Sequence, residues 1–323
     1  MLVRNLQCPW LGKKKKMTVK ALGLIALVLG PAVAMYLAGF AAQAHYLALG
    51  TVLAAQMSLL ARPVAGFSVL LPLAYAAAAI TAQSTGGVAA LIVAVAAIVG
   101  AASSQGLQRG LLAVLAATLI GSSQPAAPSA VLAPTLVMFV GSTYGFVLAG
   151  TALRNVIVDA RAVDPDTALS FAVLLAVLVI VAWLAARVVG LEHGWWVPFA
   201  VAAAGHPAIT GTAGRSLAVL AATLVGTLVL VAITELSDLA EVRAVMLLAF
   251  CTVTLVAGRT RRWLRALFFT PILLLLVSHP GGHPPVLEYL QSALLACAAV
   301  FGVALLGQWL LWTIRPDPGH APA

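Results

Sequence analysis

Charge is what this sequence has least of. Only 8% of its 323 residues are Asp, Glu, Lys or Arg, and just nine are acidic. Soluble domains run near ~25% charged, so the chain cannot present an ordinary wetted surface, and a soluble enzyme is excluded. Cysteine is nearly absent as well. Cys8, Cys251 and Cys297 are far apart, odd in number and form no CxxC pair, which excludes a disulfide framework and a thiolate zinc site. His279 and His283 share a Pro/Gly-rich stretch without a third ligand, so no metal is expected. Blocks of strict apolar–polar alternation are missing, which removes an outer-membrane barrel. So are a P-loop, an HExxH, a nucleophile elbow and a Rossmann glycine pattern. No catalytic residue and no cofactor is expected, and a stroke driven by ATP would need a partner subunit.

What is present is apolar length. Hydrophobic residues make up 63% of the chain, and the mean hydropathy is +1.08. An all-α, polytopic membrane protein follows, with the lipid bilayer as its surroundings. A spanning helix needs about 20 mainly apolar residues, fewer where the bilayer thins. Breaks at polar, Gly and Pro clusters leave twelve stretches: 20–42, 47–61, 64–82, 87–103, 110–122, 129–152, 168–190, 195–208, 215–234, 242–258, 266–278 and 286–313. The first follows "GKKKKMTVK" and resembles a signal peptide, but it is longer than the roughly 7–15 apolar residues of a cleaved one. It is expected to stay as a spanning helix.

The net charge of +9 then becomes a topology signal, because basic residues collect on the cytoplasmic side; nucleic acid is not expected as a partner. Placing the N-terminus inside puts every Lys and Arg inside except Arg187 and Arg243. Glu192, Glu235, Asp238, Glu241 and Glu288 fall outside with those two. Both termini are therefore expected in the cytoplasm of a bacterial inner-membrane protein. The pattern also repeats. "AHYLALGTVL" from Ala44 resembles "HGWWVPFAVA" from His193, and "SSQGLQRG" matches the position of "GRTRRWLR". The expected organisation is a basic N-terminus (1–19), a six-helix repeat (20–153), a polar linker (154–167), a second, parallel six-helix repeat (168–313) and a tail (314–323).

The residues that could carry chemistry cluster after the eighth stretch. Arg215 stands at the expected cytoplasmic start of the ninth, just after "HPAITGTAG". It can be a lipid-phosphate anchor. It can also be an anion contact, since a helix start supplies unpaired N–H groups and a guanidinium grips a carboxylate bidentately. Trp195 and Trp196 sit at the expected periplasmic interface, where an aromatic belt is the simpler reading and stacking on a ring-shaped substrate the other. His206 is a cap or a proton-coupling group beside Pro207. Thr223 and Gly226 fit close helix packing.

From Trp195 to Gly226 the chain resembles the membrane half of the fusaric acid resistance family, the aromatic acid exporters. Its pattern is a Trp-led helix, a Pro, then T-x-x-R-x-x-x-R-x-x-G-T-x-x-G. Trp195 or Trp196, Pro207, Thr212, Arg215, Thr223 and Gly226 fit it, while Val219 and Ala222 replace the second Arg and a Gly. The resemblance extends over 168–278. In the first half Arg62 survives, but "RPVAGFSVLLPLAYA" does not reproduce the motif. The resemblance implies export of small organic anions, aromatic carboxylates among them, with Arg215, Arg62, Thr212, Trp195, Trp196 and His206 as substrate contacts. A passive anion channel and a non-transporting scaffold are the rival readings, and homo-oligomerisation stays open.

Overall fold

The structure, a computed structural model, describes residues 26–60, 66–124, 126–151, 162–191 and 194–205, with isolated positions at 23 and between 221 and 302. The described residues are all-helical and contain no strand. Among the described residues eight helices follow one another: α1 (Ala26–Leu37), α2 (Ala41–Leu60), α3 (Gly66–Thr81), α4 (Thr85–Ala101), α5 (Gln108–Ser122), α6 (Pro128–Thr151), α7 (Pro165–Val188) and α8 (Trp196–Ala204). They coincide with the first eight apolar stretches. The isolated positions at 221–232 and 291–302 are helical too, and Ala296 packs with Ala182 and Ala186 of α7 and Val197 and Val201 of α8.

One boundary differs from expectation. The break between the first two stretches lies at 38–40, where the chain turns through Gly39 at φ 88°, rather than at 43–46. Gln43, His45 and Tyr46 are polar, yet they belong to α2. Gln43 is exposed, whereas His45 and Tyr46 are half-buried: their rings meet edge to face at 5.6 Å, and Tyr46 bonds across to Gln124, just beyond α5, as described below.

Among the described residues three helices are long and apolar enough to cross a membrane: Thr85–Gln105, Pro128–Thr151 and Pro165–Val188. At about 1.5 Å per residue, the 24 residues of α7 exceed the ~30 Å hydrocarbon thickness. Its faces show what each side meets. Leu169, Val173, Val177, Val181, Leu184 and Val188 are exposed along one stripe, whereas Ala168, Ala172, Leu175, Ala176, Val179, Ala182, Trp183 and Ala186 are buried. Water would penalise so long an exposed apolar stripe, and lipid does not. The buried face mixes five alanines, which let helices approach closely, with Phe171, Leu175, Val179 and Trp183.

At the centre stands α5. Of its 15 residues only Arg109, Leu112 and Ser122 escape full burial, and it touches α2, α3, α4 and α8. A helix enclosed on every side is apolar all round. On one flank α2 packs on α6, and α3 bridges α5 and α6; on the other, α4 packs on α7 and α7 on α8. The α2–α6 joint depends on small residues: Gly141 and Gly145 face the carbonyls of Leu47 and Thr51, and Gly50 faces that of Met138.

Proline inside α3 is compensated from a neighbour. Pro72 has no N–H to offer the carbonyl four residues back, which is that of Ser68. The buried Ser142 hydroxyl of α6 donates to that oxygen instead. Ser142→Ala is expected to cost about 1 kcal/mol, read as a lowered unfolding midpoint of the detergent-solubilised chain.

Candidate functional site

The helices alternate in direction, so their ends fall into two groups. One group contains the ends of α3, α5 and α7 and the starts of α2, α4, α6 and α8. There Ala126 N–H donates to Ala79 O at 3.3 Å, and Gln83 Nε2 to Ala126 O at 3.1 Å. At the opposite end Val163 N–H donates to Ser103 O at 3.1 Å, and Gln108 Nε2 to Gly205 O at 3.2 Å. Gln108 begins α5 and Gly205 closes α8, so this bond fixes where the chain leaves α8 toward His206.

At the first end the turn between α7 and α8 sets the aromatics. Gly190, at φ 78°, ends α7. Leu191 N–H then reaches back to Ala186 O at 3.1 Å, satisfying a carbonyl of the last turn. The chain folds α8 onto α7. Trp195 and Trp196 meet edge to face at 5.4 Å, and Trp196 meets Phe199 at 5.5 Å. Both tryptophans are only 3% exposed. That corrects the aromatic-belt expectation, because belt tryptophans present their rings to the interface and these two are enclosed by protein. They pack in one core with Trp183 and α5.

A cavity of about 240 Å³ opens beside them. It is lined by Ala82, by Ser122 and Ser123 at the end of α5, by Trp183, Ala186 and Arg187 of α7, and by Leu191, Gly194 and Trp195. Trp183 and Arg187 are four residues apart, hence on one helix face. The Arg187 guanidinium carbon lies 4.9 Å from the Trp183 ring centre, a cation–π contact. Among the described residues the buried Trp195 Nε1–H has no hydrogen-bond acceptor, and no carboxylate lines the cavity. Both serine hydroxyls donate to helix carbonyls at 2.7 Å. Directly after them, Gln124 Oε1 accepts from Tyr46 OH at 3.0 Å and from Tyr75 OH at 2.9 Å.

Of the residues singled out in the sequence, Trp195 and Trp196 are thus brought together, and Gly226 is helical and buried. Arg215, Arg62, Thr212, His206, Pro207 and Thr223 lie outside the described residues. Sequence reasoning missed Arg187, Trp183, Ser122 and Ser123 as neighbours of Trp195. The i, i+4 spacing of Trp183 and Arg187 was the available signal. Among the described residues no group of three His, Cys, Asp or Glu could hold a metal ion.

A family model described as fusaric acid resistance protein-like matches residues 181–303. The match runs from the middle of α7 through the cavity's Arg187 and Trp195 and across the Arg215 motif. It bears out the resemblance over that part of the chain and, with the apolar helices, supports a membrane protein of transporter-like rather than enzymatic type. No curated protein and no solved structure matches the chain.

Proposed function

We propose, from the fusaric acid resistance protein-like match over residues 181–303, that this chain is a bacterial inner-membrane transporter exporting small organic anions, aromatic carboxylic acids foremost, and that Arg215 contacts the carboxylate. The architecture in this reading is twelve spanning helices in two parallel six-helix repeats, 20–153 and 168–313, with both termini cytoplasmic. The match carries the reading. The two ends of the bundle are compatible with it: Arg109 opens α5 at the Gln108 end, whereas Arg187, one of two basic residues assigned outside, closes α7 at the opposite end. Under the positive-inside rule the Gln108 end is then cytoplasmic.

Gly205 is held by Gln108 at that end. In this reading His206, Pro207, Thr212 and Arg215 belong to the cytoplasmic side, as the charge pattern of the sequence leads one to expect. A guanidinium at the head of a helix gives an arriving carboxylate two parallel hydrogen bonds on top of the helix's own unpaired N–H groups. It also raises the local concentration of anions. Thr223 and Gly226 serve helix contact in this reading, and Arg62 is the first-half counterpart of Arg215. Every acid of the sequence falls in an expected loop or near an expected helix end, a pattern that does not favour proton coupling through a carboxylate pair within the spans.

The test is benzoate flux from proteoliposomes. Arg215→Gln is expected to lower it about tenfold, the loss of one charge-assisted contact, and Arg215→Lys to restore part of it. Wild-type flux from a normally inserted Arg215→Gln protein would overturn the assignment and favour the scaffold reading. Uphill accumulation under an imposed pH gradient separates an exporter from a passive channel.

A further inference from the structure

We propose that the groove between α4 and α7 holds one acyl chain of an anionic glycerophospholipid whose phosphate rests on Arg187. The occupant is a lipid of the bilayer rather than a transported solute, so the site needs neither Arg215 nor export. Only its leaflet, the outer one, rests on the cytoplasmic placement of the Gln108 end.

The groove follows from how the two helices meet. They run antiparallel and touch where Gly100 abuts the Ala172 backbone. Beside that contact lies a furrow of about 540 Å³, lined among the described residues by apolar side chains alone. Ala97, half-buried, and Ala172 and Ala176, buried, form its floor. Ile98, Leu169, Val173 and Val177 rise along the rims, each more than half exposed. From Leu169 to Ile180 the furrow runs eleven residues, about 16 Å at ~1.5 Å per residue. Its cross-section is then about 33 Å², or ~6–7 Å across, against the ~10–12 Å of a helix with its side chains. A second helix cannot seat in it, whereas a single polymethylene chain can. Lipid tails are as apolar as these walls, so no hydrophobic transfer draws the chain in. It is held by many small dispersion contacts to floor and rims.

Charge gives the occupant its direction. Ile180 and Arg187 are seven residues apart and share a face of α7, with exposed Leu184 between them. The line of the groove therefore leads to the exposed Arg187 guanidinium, which lies 4.9 Å from the centre of the Trp183 ring. Trp183 is buried and fixed, and a guanidinium stacked on it keeps its N–H edge for a phosphate. Fourteen residues along each helix from the Gly100–Ala172 contact stand Gly86 and Ala186. Nothing lies within 4 Å of a Cβ placed at Gly86, so a headgroup has room beside Arg187. At the other end the same face passes Leu169 and reaches Asp166 in the first turn of α7, and a carboxylate repels a phosphate. The headgroup thus sits at Arg187 with the tail running toward Asp166, not the reverse. A net anionic headgroup is favoured over a zwitterionic one, whose ammonium brings a second positive charge to the guanidinium.

The experiment uses the full chain in neutral maltoside micelles. A phosphatidylglycerol carrying a diazirine midway along one acyl chain is photolysed with it, and adducts are located by peptide mass spectrometry. Adducts are expected on α4 between Val93 and Ala101 and on α7 between Leu169 and Ile180. Unlabelled phosphatidylglycerol should suppress them about five- to tenfold more effectively than phosphatidylcholine of the same chains. Arg187→Gln should lower their yield about tenfold; Arg187 is exposed, so its replacement leaves the core untouched. Ala97→Leu, which fills the floor, should lower it about three- to tenfold, and Ala101→Leu serves in its place if the first variant loses the parental size-exclusion profile. Adducts on exposed Leu136 and Val140 of α6 report unselected lipid contact and should stay constant throughout. Groove adducts no more frequent than those on α6 overturn the proposal. So does equal competition by phosphatidylcholine, or a groove yield indifferent to Arg187→Gln or to the filled floor. Glycerophosphoglycerol, the headgroup without chains, competing as well as the lipid assigns Arg187 to a soluble phosphate ester and overturns it equally. An Ile98→Cys chain that forms disulfide dimers while the groove stays unlabelled assigns the groove to a second copy, again against the proposal. No arm measures transport, so failure here and failure of the Arg215 flux test are separate results.

Discussion

Gly145→Leu is expected to abolish the folded protein, with loss of the monodisperse peak in fluorescence-detected size exclusion. Gly141 and Gly145 are one turn apart on α6, and a Cβ built at either would strike the backbone carbonyl of Leu47 or Thr51 on α2. The obstacle is backbone and cannot rotate aside; α2 as a whole would have to withdraw. On the same joint Gly50 of α2 faces the Met138 carbonyl, so retreat at one position opens the others. Between helices in lipid no hydrophobic effect offsets a poor fit, and close packing is the main source of association. Overpacking alone costs about 1–3 kcal/mol, and separation of α2 from α6 adds to it, for a total of about 3 kcal/mol or more. Gly145→Ala should fall between, retaining a smaller peak. Gly150→Leu is the control: it lies on the same helix, with nothing within 4 Å of a Cβ placed there, and should leave the profile unchanged.

That joint also shows which parts of the fold the sequence carried openly. Helix existence was legible because twenty apolar residues in a row leave few alternatives, and all eight described helices fall within or across expected stretches. Helix orientation was not. In a soluble helix, charge marks the outer face; here both faces are apolar, so Leu169 toward the surroundings and Leu175 toward the core read alike. Small residues were the remaining signal, and "GSTYG" at 141–145 carried it unnoticed among so many alanines and glycines. The same ambiguity misplaced Trp195 and Trp196. Position near an expected interface favoured a belt, but the turn after Gly190 folds them into the core, a tertiary consequence that a linear reading of hydropathy does not contain. Polar residues misled in the opposite direction at 43–46. His45 and Tyr46 read as a loop because they interrupt an apolar run, whereas an interior polar contact interrupts it equally well. The pairing of Arg187 with Trp183 needed only the i, i+4 spacing within α7, but their relation to Trp195 needed the turn into α8, and that to Ser122 and Ser123 the return of α5 to the same end.

Tyr46 is also one arm of the second large expected effect, produced by Gln124→Leu. The Gln124 side-chain oxygen accepts from Tyr46 at 3.0 Å and from Tyr75 at 2.9 Å, joining α2 and α3 just beyond the end of α5. Leucine has nearly the same volume, so no cavity is created and the substitution isolates the hydrogen bonds. Two phenol hydroxyls lose their acceptor. Tyr75 is 3% exposed and cannot turn to water, and the hydroxyl-to-hydroxyl distance of 3.4 Å offers only a weak substitute. The expected loss is about 2 kcal/mol, seen as a lowered midpoint in detergent-induced unfolding. Gln124→Glu keeps the acceptor and should recover most of that loss. The triple variant Tyr46→Phe, Tyr75→Phe, Gln124→Leu should recover much of it too, because it removes both phenol donors, while Gln124→Leu alone leaves them without their acceptor. If the single and triple variants unfold at the same midpoint, the cost lies in lost packing around residue 124 rather than in the hydrogen bonds.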